Sequence, residues 1–566
     1  MNKPFAITLD PGSSLANKTG SWRTERPVYV DLMPPCNHAC PAGENIQQWL
    51  YRAEDGRLGS GGRPPGPPDG YEQAWRQIMA DNPLPAVMGR VCYRPCETAC
   101  NRGQLDAAVG INSVERFLGD EAIKRGWTVP VSAPDSGKHV LVVGSGPSGL
   151  SAAYHLRLLG HRVTMRDLAP LPGGMMRYGI PAYRLPRRVL DAEINRILAM
   201  GVTFEQRKVT EIEKEMADGG FDAAFLAVGA QQGRRAYIPA GDSAKILDAV
   251  ALLHATADGE PPQLGRRVAI DGGGTTARDA ARTARRLGAT DAVVVYRRTR
   301  ERMPAHDIEV EEAADEGVRM MWLSTIARAN SGTLTIEKMR LDETGFPQPT
   351  GEFDELAADT VVLALGQETE LSLLDGVPGI AVTDGVVQVG PDLMTGCPGI
   401  FAGGDMVPAE RTVTVGIGHG KKAARSIDAW LRSEGNGAAR AGAVAPGAAA
   451  TTGGPRLADF DRLNTWYSSD APATVRPQLD AARRTSSFDE ITGGLDESTA
   501  LFEARRCLSC GNCFECDNCY GVCPDNAVIK LGAGQRYEID LDYCKGCGIC
   551  AAECPCGAID MVPERI

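Results

Sequence analysis

The sequence predicts a multidomain α/β protein with metal-binding regions at both ends. Its middle, residues 137–432, alternates apolar strands with helical stretches, the pattern of a parallel sheet covered by helices. One strand, Gly-rich turn, Ala-rich helix and strand unit occurs there twice, as KHVLVVGSGPSGLSAAYHLRLLGHRVTMRD and RRVAIDGGGTTARDAARTARRLGATDAVVVYRR. The cysteines avoid this middle. Of seventeen, five lie between Cys36 and Cys100, eleven between Cys507 and Cys556, and Cys397 stands alone. Secreted disulfide proteins spread their cysteines through a small chain, so two dense islands point to metal ligation.

Composition narrows the class. The 566 residues suffice for about three or four domains, and 43% hydrophobic with 23% charged residues is ordinary for a soluble globular chain. A net charge of -12 without a Lys/Arg cluster argues against a nucleic-acid partner. The longest apolar stretches are strand-sized, far short of the roughly 20 residues that span a bilayer, so no membrane span is expected. MNKPFAITLD lacks a charged segment followed by an apolar one, and the expected location is the cytoplasm.

Within the first unit, Gly144, Gly146 and Gly149 follow the strand HVLVV. The first Gly permits a tight turn, the second lets backbone approach a pyrophosphate, and the third lets the helix pack on the strand. The free N–H groups at the helix start then face the phosphates. Asp167, 23 residues beyond Gly144, stands where an acid would bond a ribose hydroxyl. In the second unit Gly272, Gly274 and Ala277 repeat the pattern, but the next strand ends on Arg297 and Arg298 instead of an acid. Arginine there suits a ribose 2′-phosphate, so NADPH is expected over NADH, which stays possible. Matching strands DAAFLAVG and DTVVLALG close the two units. Two such units mean two dinucleotides.

At the C-terminus two runs fit C-x2-C-x2-C-x3-C-P: Cys513, Cys516, Cys519, Cys523 with Pro524, and Cys544, Cys547, Cys550, Cys554 with Pro555. In this pattern the fourth cysteine of each run serves the other [4Fe–4S] cluster. One set is therefore Cys513, Cys516, Cys519 and Cys554, the other Cys544, Cys547, Cys550 and Cys523. Zinc also accepts C-x2-C pairs, but two complete Cys-Pro runs tell against it. Cys507, Cys510 and Cys556 fall outside the count of eight, as packing thiols or as part of an additional metal site with a partner chain.

Three further stretches carry a resemblance: PGGMMRYGIPAYRLPR after Asp167, GIFAGGDMV ending near Asp405, and PPCNHACPAG with NPLPAVMGRVCYRPCETACNR upstream. Residues 137–432 resemble the two-dinucleotide flavoproteins, in which the first unit holds FAD and the inserted unit NAD(P)H. The upstream stretch resembles the N-terminal iron–sulfur region of the glutamate synthase small subunit, shared with dihydropyrimidine dehydrogenase. The resemblance implies a helical iron–sulfur domain over 1–136, an FAD domain over 137–244 and 373–432, and an NAD(P)H domain over 245–372. A flexible linker over 433–456, a connecting segment over 457–506 and an α+β ferredoxin-like domain over 507–566 complete the expectation. It places Gly174, Gly404 and Asp405 at FAD and Thr414 through Ile417 near the isoalloxazine.

The resemblance also implies one N-terminal [4Fe–4S] cluster on Cys40, Cys92 and Cys96, with Glu115, Cys100 or Cys36 as fourth ligand. Relatives with two clusters here carry a Cys pair ahead of the position of Cys36, where this chain reads PVYVDLMPP. The flavoprotein region lacks the C-x-x-C of disulfide reductases, so its flavin has no thiol pair to reduce. The expected activity is an NAD(P)H-dependent flavin iron–sulfur oxidoreductase, with no catalytic acid or base, acting as the electron-transfer subunit of a hetero-oligomeric complex such as a 2-oxoacid:acceptor oxidoreductase. A glutamate synthase small subunit, a sulfite reductase donor or acceptor subunit, and a stand-alone NADPH:ferredoxin-type enzyme are the alternatives. Redox partner subunits or ferredoxin are the expected partners.

Overall fold

The computed structural model describes residues 18–54, 70–234, 238–239, 245–304, 307–330, 332–433, 455–532 and 535–564. The expected linker over 433–456 falls, apart from its ends, outside the described residues.

Two five-stranded parallel sheets form the middle of the chain. The first runs in the order Ile400–Ala402, Ala223–Leu226, His139–Val143, Arg162–Asp167, Val202–Gln206. Its central strand is apolar on both faces because helices cover both, so Val140, Leu141 and Val142 are fully buried. The second sheet runs Val318–Trp322, Asp291–Tyr296, Arg267–Asp271, Thr360–Leu363, Ile246–Asp248. An antiparallel meander, Ser324–Asn330, Thr333–Leu341 and Pro347–Ala357, is appended to it. The second unit is thus inserted between Ala223–Leu226 and Ile400–Ala402, adjacent strands of the first sheet. Each Gly-rich turn consequently lies at the carboxyl end of a central strand, where open α/β sheets bind ligands.

The N-terminal region is helical, built on Pro35–Ala39, Ile46–Glu54, Gly70–Met79, Pro85–Val91 and Ile111–Arg125. Trp49, Leu50, Ala74 and Ile78 fill its core at the apolar spacings of those helices. The short helix Pro85–Val91 leads into Cys92, and its start is held by a carboxylate from another domain. Fully buried Glu193 accepts the N–H groups of Ala86 and Val87 at 3.0 and 2.9 Å. Removing it strands two buried donors. Glu193→Ala is expected to destabilise this helix by about 2 kcal/mol, read as roughly 30-fold faster amide exchange at Ala86 and Val87. Unchanged exchange there would show that the clamp carries no weight.

One strand departs from the expected partition. Glu25–Tyr29 lies in the N-terminal region by sequence but pairs antiparallel with Ile559–Pro563 of the tail. Arg23 reinforces the seam, donating to Glu564 at 2.6 Å and to the carbonyls of Leu541 and Cys544. The tail's last strand would otherwise leave an open edge. The segment over 457–506 is irregular apart from short helical pieces, chiefly Ala481–Ser486 and Glu497–Arg505, and threads over the N-terminal helices. Arg476 donates to Ser113 Oγ at 2.8 Å and to the Gly89 carbonyl at 3.0 Å, while the Ile491 N–H donates to the Tyr183 carbonyl at 3.0 Å.

Candidate active site and cysteine sets

The first turn is built for a phosphate. At Gly144, φ is +103°, and a Cβ would sit 2.2 Å from the Ala227 carbonyl oxygen. At Gly149 a Cβ would lie 1.9 Å from the Gly144 oxygen, so only glycine lets the helix Pro147–Leu158 dock. Gly146 differs: its nearest neighbour would be the Gly174 Cα at 4.0 Å. Nothing in the protein needs glycine there, and the space is the cradle itself. Asp167 closes the turn, accepting from the Ser145 N–H at 2.6 Å and hydroxyl at 2.7 Å. Those bonds aim the carboxylate across the turn.

The second turn repeats this. Gly272 has φ of +147° with the Ala364 oxygen 2.3 Å from its would-be Cβ, Gly274 faces open space, and Ala277 is fully buried against the sheet. Arg297 is exposed and Arg298 half-buried, with its Nε lacking any hydrogen-bond partner. That Nε, held out of water without an acceptor, is poised for an anion.

A cavity of ≈ 170 Å³ joins the two units. Gly146, Asp167, Gly174, Gly404 and Asp405 line it from the first unit, and Thr275, Thr276 and Asp279 from the second. Thr414 is not in this lining. The helix Val413–Ser433 presents Val413 and Gly416 to the cavity, and Thr414, a third of a turn away, donates its hydroxyl to Cys92 Sγ at 3.3 Å. Sequence reading missed several residues. Arg184, half-buried in the cleft, pairs with Asp279 at 2.7 Å and Glu309 at 2.8 Å, and Tyr93 OH meets Thr275 Oγ1 at 3.1 Å. The ion pairs tie the two units to each other and the Tyr93 bond ties the second unit to the N-terminal domain, and no local pattern marks them.

All seventeen cysteines are free thiols. Cys40, Cys92 and Cys96 gather with the buried carboxyl of Glu115. Burial, then Glu115, pushes the Cys92 thiol up to about 11. Glu115 is itself held well above the carboxylate range, by burial and then by Glu44. Asn82 Nδ2 donates to Glu115 at 2.8 Å and to Glu44 at 3.0 Å. Cys36 and Cys100, the other candidates for the fourth position, line a separate cavity.

At the C-terminus the thiols group across the two runs. Cys519 is pushed up to about 11 by burial, with Cys513, Cys516 and Cys554 as its charged neighbours. Cys550, pushed up to about 12 by burial, has Cys544, Cys523, Cys519 and Cys547 as its charged neighbours, three of them from its own set. Cys523, Cys544, Cys547 and Cys550 share one cavity. Cys556 stands apart, 3.6 Å from Cys554. Four soft thiols per set fit an iron–sulfur cluster, and the cradle left open at Gly146 fits a dinucleotide.

Fold and cleft thus define an NAD(P)H- and FAD-dependent oxidoreductase with iron–sulfur regions at both ends. The chain belongs to the pyridine nucleotide-disulphide oxidoreductase family, whose description matches residues 138–426. Residues 25–127 match dihydropyrimidine dehydrogenase domain II, 4Fe-4S cluster, and residues 537–560 match a 4Fe-4S binding domain. The chain is 34% identical over 530 residues to the NADP(+)-dependent formate dehydrogenase subunit beta of Moorella thermoacetica, covering 84% of this chain and 70% of that protein. It is 31% identical over 532 residues to the NADPH-Fe(3+) oxidoreductase subunit beta of Geobacter sulfurreducens, covering 84% and 75%. It is also 31% identical over 439 residues to the glutamate synthase [NADPH] small chain of Escherichia coli, covering 70% and 89%. Among the described residues no helix is long and apolar enough to cross a membrane.

Proposed function

We propose that this chain is the NADPH-linked electron-transfer subunit of a hetero-oligomeric redox complex. The observation that carries the reading is the bond from Thr414, on the helix that lines the dinucleotide cleft, to Cys92 of the first thiol set. One side of that helix faces the cleft and the other faces a metal ligand.

Bound FAD supplies the conversion between the two-electron chemistry of a nicotinamide and the one-electron chemistry of clusters. The residues of this chain bind and orient. Gly146, Gly174 and the helix start at Pro147 receive the FAD pyrophosphate, and Asp167 receives its ribose. Gly274 admits the second dinucleotide, and Arg297 and Arg298 select its 2′-phosphate. Cys40, Cys92, Cys96 and Glu115 hold the N-terminal cluster. Cys513, Cys516, Cys519 and Cys554 hold one C-terminal cluster, and Cys544, Cys547, Cys550 and Cys523 the other. Cys516 and Cys547 are exposed, which brings both C-terminal sites to the surface that a partner would meet.

Two relatives bear names as beta subunits, which supports a partnered role. The glutamate synthase small chain reading is weaker, because that relative matches 70% of the chain and this chain carries a two-run cysteine tail. Anaerobic titration with NADPH is expected to bleach flavin absorbance and the broad cluster absorbance together. Bleaching of the flavin alone would sink the reading. Purification from the native host is expected to bring down at least one redox partner in fixed ratio.

A further inference from the structure

Four thiols left outside those sets meet in one place. Cys36 lies in the helix Pro35–Ala39, Cys100 ends the first island, and Cys507 and Cys510 come from the far end of the chain. All four line a single cavity whose walls include Pro34, Leu50, Val109 and Ile111. None of the four is exposed and none is in a disulfide.

We propose that Cys36, Cys100, Cys507 and Cys510 hold a fourth [4Fe–4S] cluster, with half of its ligands supplied to the N-terminal domain by the C-terminal C-x2-C pair.

The chain invests heavily in bringing that pair here. The helix Glu497–Arg505 ends just before Cys507 and packs on Ile46–Glu54 and Ile111–Arg125. Its fully buried Glu503 accepts the Gly110 N–H at 2.6 Å and the Thr474 N–H at 2.8 Å. Arg506, 2% exposed, donates to the carbonyls of Ala107 at 2.6 Å and Ala108 at 3.0 Å. Arg102 donates back to the Arg506 carbonyl at 2.8 Å. The peptide leading into Cys507 is therefore locked to the loop that follows Cys100. Beyond it, Gln47 donates to the Cys510 carbonyl at 3.2 Å, and the Leu32 N–H donates to the Gly511 carbonyl at 3.1 Å. Apart from the Thr474 bond, each of these hydrogen bonds joins residues more than 390 positions apart.

The sulfurs are also treated as ligands. The Ser509 N–H points at Cys507 Sγ at 3.5 Å, and Asn101 hydrogen-bonds the Cys510 thiol. Thiols packed merely as small hydrophobes need no donors, whereas hydrogen bonds to ligating sulfur tune a cluster. Burial pushes the Cys507 thiol up to about 12, with Cys510 and Cys100 its nearest charged neighbours, and a bound cluster would remove that cost by holding thiolates.

Placement gives the site a use. Cys36 and Cys40 belong to one short helical segment, so the new site adjoins the Cys40, Cys92 and Cys96 set. On its other side Cys510 is three residues from Cys513, and the Gly511 N–H donates to the Cys556 carbonyl at 2.6 Å. The site stands between the N-terminal set and the C-terminal sets. This positional argument rests on the proposed function, but the cluster itself does not.

Iron and acid-labile sulfide per chain, measured on anaerobically purified protein, test the proposal. Each cluster brings four irons, so the native chain is expected to hold about sixteen. The double variant C507S/C510S is expected to hold about twelve, with FAD content unchanged, and C397S about sixteen. Dithionite reduction of the double variant is expected to give about one unpaired spin fewer by electron paramagnetic resonance. A native count of about twelve overturns the proposal without any variant, which covers the case in which C507S/C510S fails to fold. So does a double variant that keeps its native iron, or zinc at about one per chain that the double variant loses. A native count of about sixteen with NADPH unable to reduce any cluster would spare this site and sink the function proposed above.

Discussion

Gly146→Val is expected to yield folded protein with at least about tenfold less FAD than the native chain. The prediction turns on the difference between three glycines of one turn. A Cβ at Gly144 or Gly149 strikes backbone oxygen at 2.2 or 1.9 Å, so substitution there breaks the turn itself. At Gly146 the backbone is extended, with φ of -71° and ψ of -173°, and it precedes Pro147. Valine accepts that conformation readily. Its Cβ would meet only the Gly174 Cα, at an ordinary 4.0 Å. The branched side chain would then occupy the space in which backbone and pyrophosphate must touch. Flavin absorbance per chain, far-ultraviolet circular dichroism and iron content are the readouts. Retained flavin would overturn the assignment of the first turn. Loss of flavin with loss of secondary structure would show that Gly146 is structural like its neighbours. Gly149→Val is expected to show that second pattern and serves as the contrast.

The double variant R297A/R298A is expected to lower kcat/KM for NADPH by about 100-fold and leave that for NADH nearly unchanged. The two side chains follow the strand Asp291–Tyr296, at the tip where a ribose-binding acid would otherwise stand. Two charge-assisted bonds to a phosphate are worth about 1.5–3 kcal/mol each at full strength. Exposure of Arg297 weakens its share through solvent screening, which brings the pair down to about two orders of magnitude. Arg298, with a buried Nε that finds no partner in the protein, is expected to carry most of the effect. R298A alone should therefore cost more than R297A alone, and the gap should widen at high salt. Equal loss for both nucleotides would place the arginines elsewhere in the mechanism, and an unchanged ratio would remove them from the 2′-phosphate altogether.

Local chemistry was legible in the sequence. Each Gly-rich turn, its strand and its helix fit within about thirty consecutive residues, and the geometric reasons for each glycine are contacts with near neighbours, such as the Gly144 oxygen against Gly149. The proposed crossing of the C-terminal runs rests on the same short-range spacing, and Cys554 stands among the charged neighbours of Cys513, Cys516 and Cys519. The direction of Thr414 was not legible. Its motif placed it beside the flavin, but on a helix a step of one residue turns a side chain by about 100°, and that step hands Thr414 to Cys92.

What the sequence determined by itself is the inventory: two dinucleotide units, two ferredoxin runs and an N-terminal cysteine island one pair short. Each is encoded by short-range spacing, and short-range spacing survives in any unfolded chain. What only the tertiary structure decided is where the leftover parts go. Strand Glu25–Tyr29 finds its partner at Ile559–Pro563, and Cys507 and Cys510 arrive beside Cys36 and Cys100. The second meeting is held by buried groups such as Glu503, Arg506 and Arg102, each with a bonding partner more than 390 residues away. No periodicity or spacing encodes such a pair, because its energy exists only once the separate cores have formed and docked.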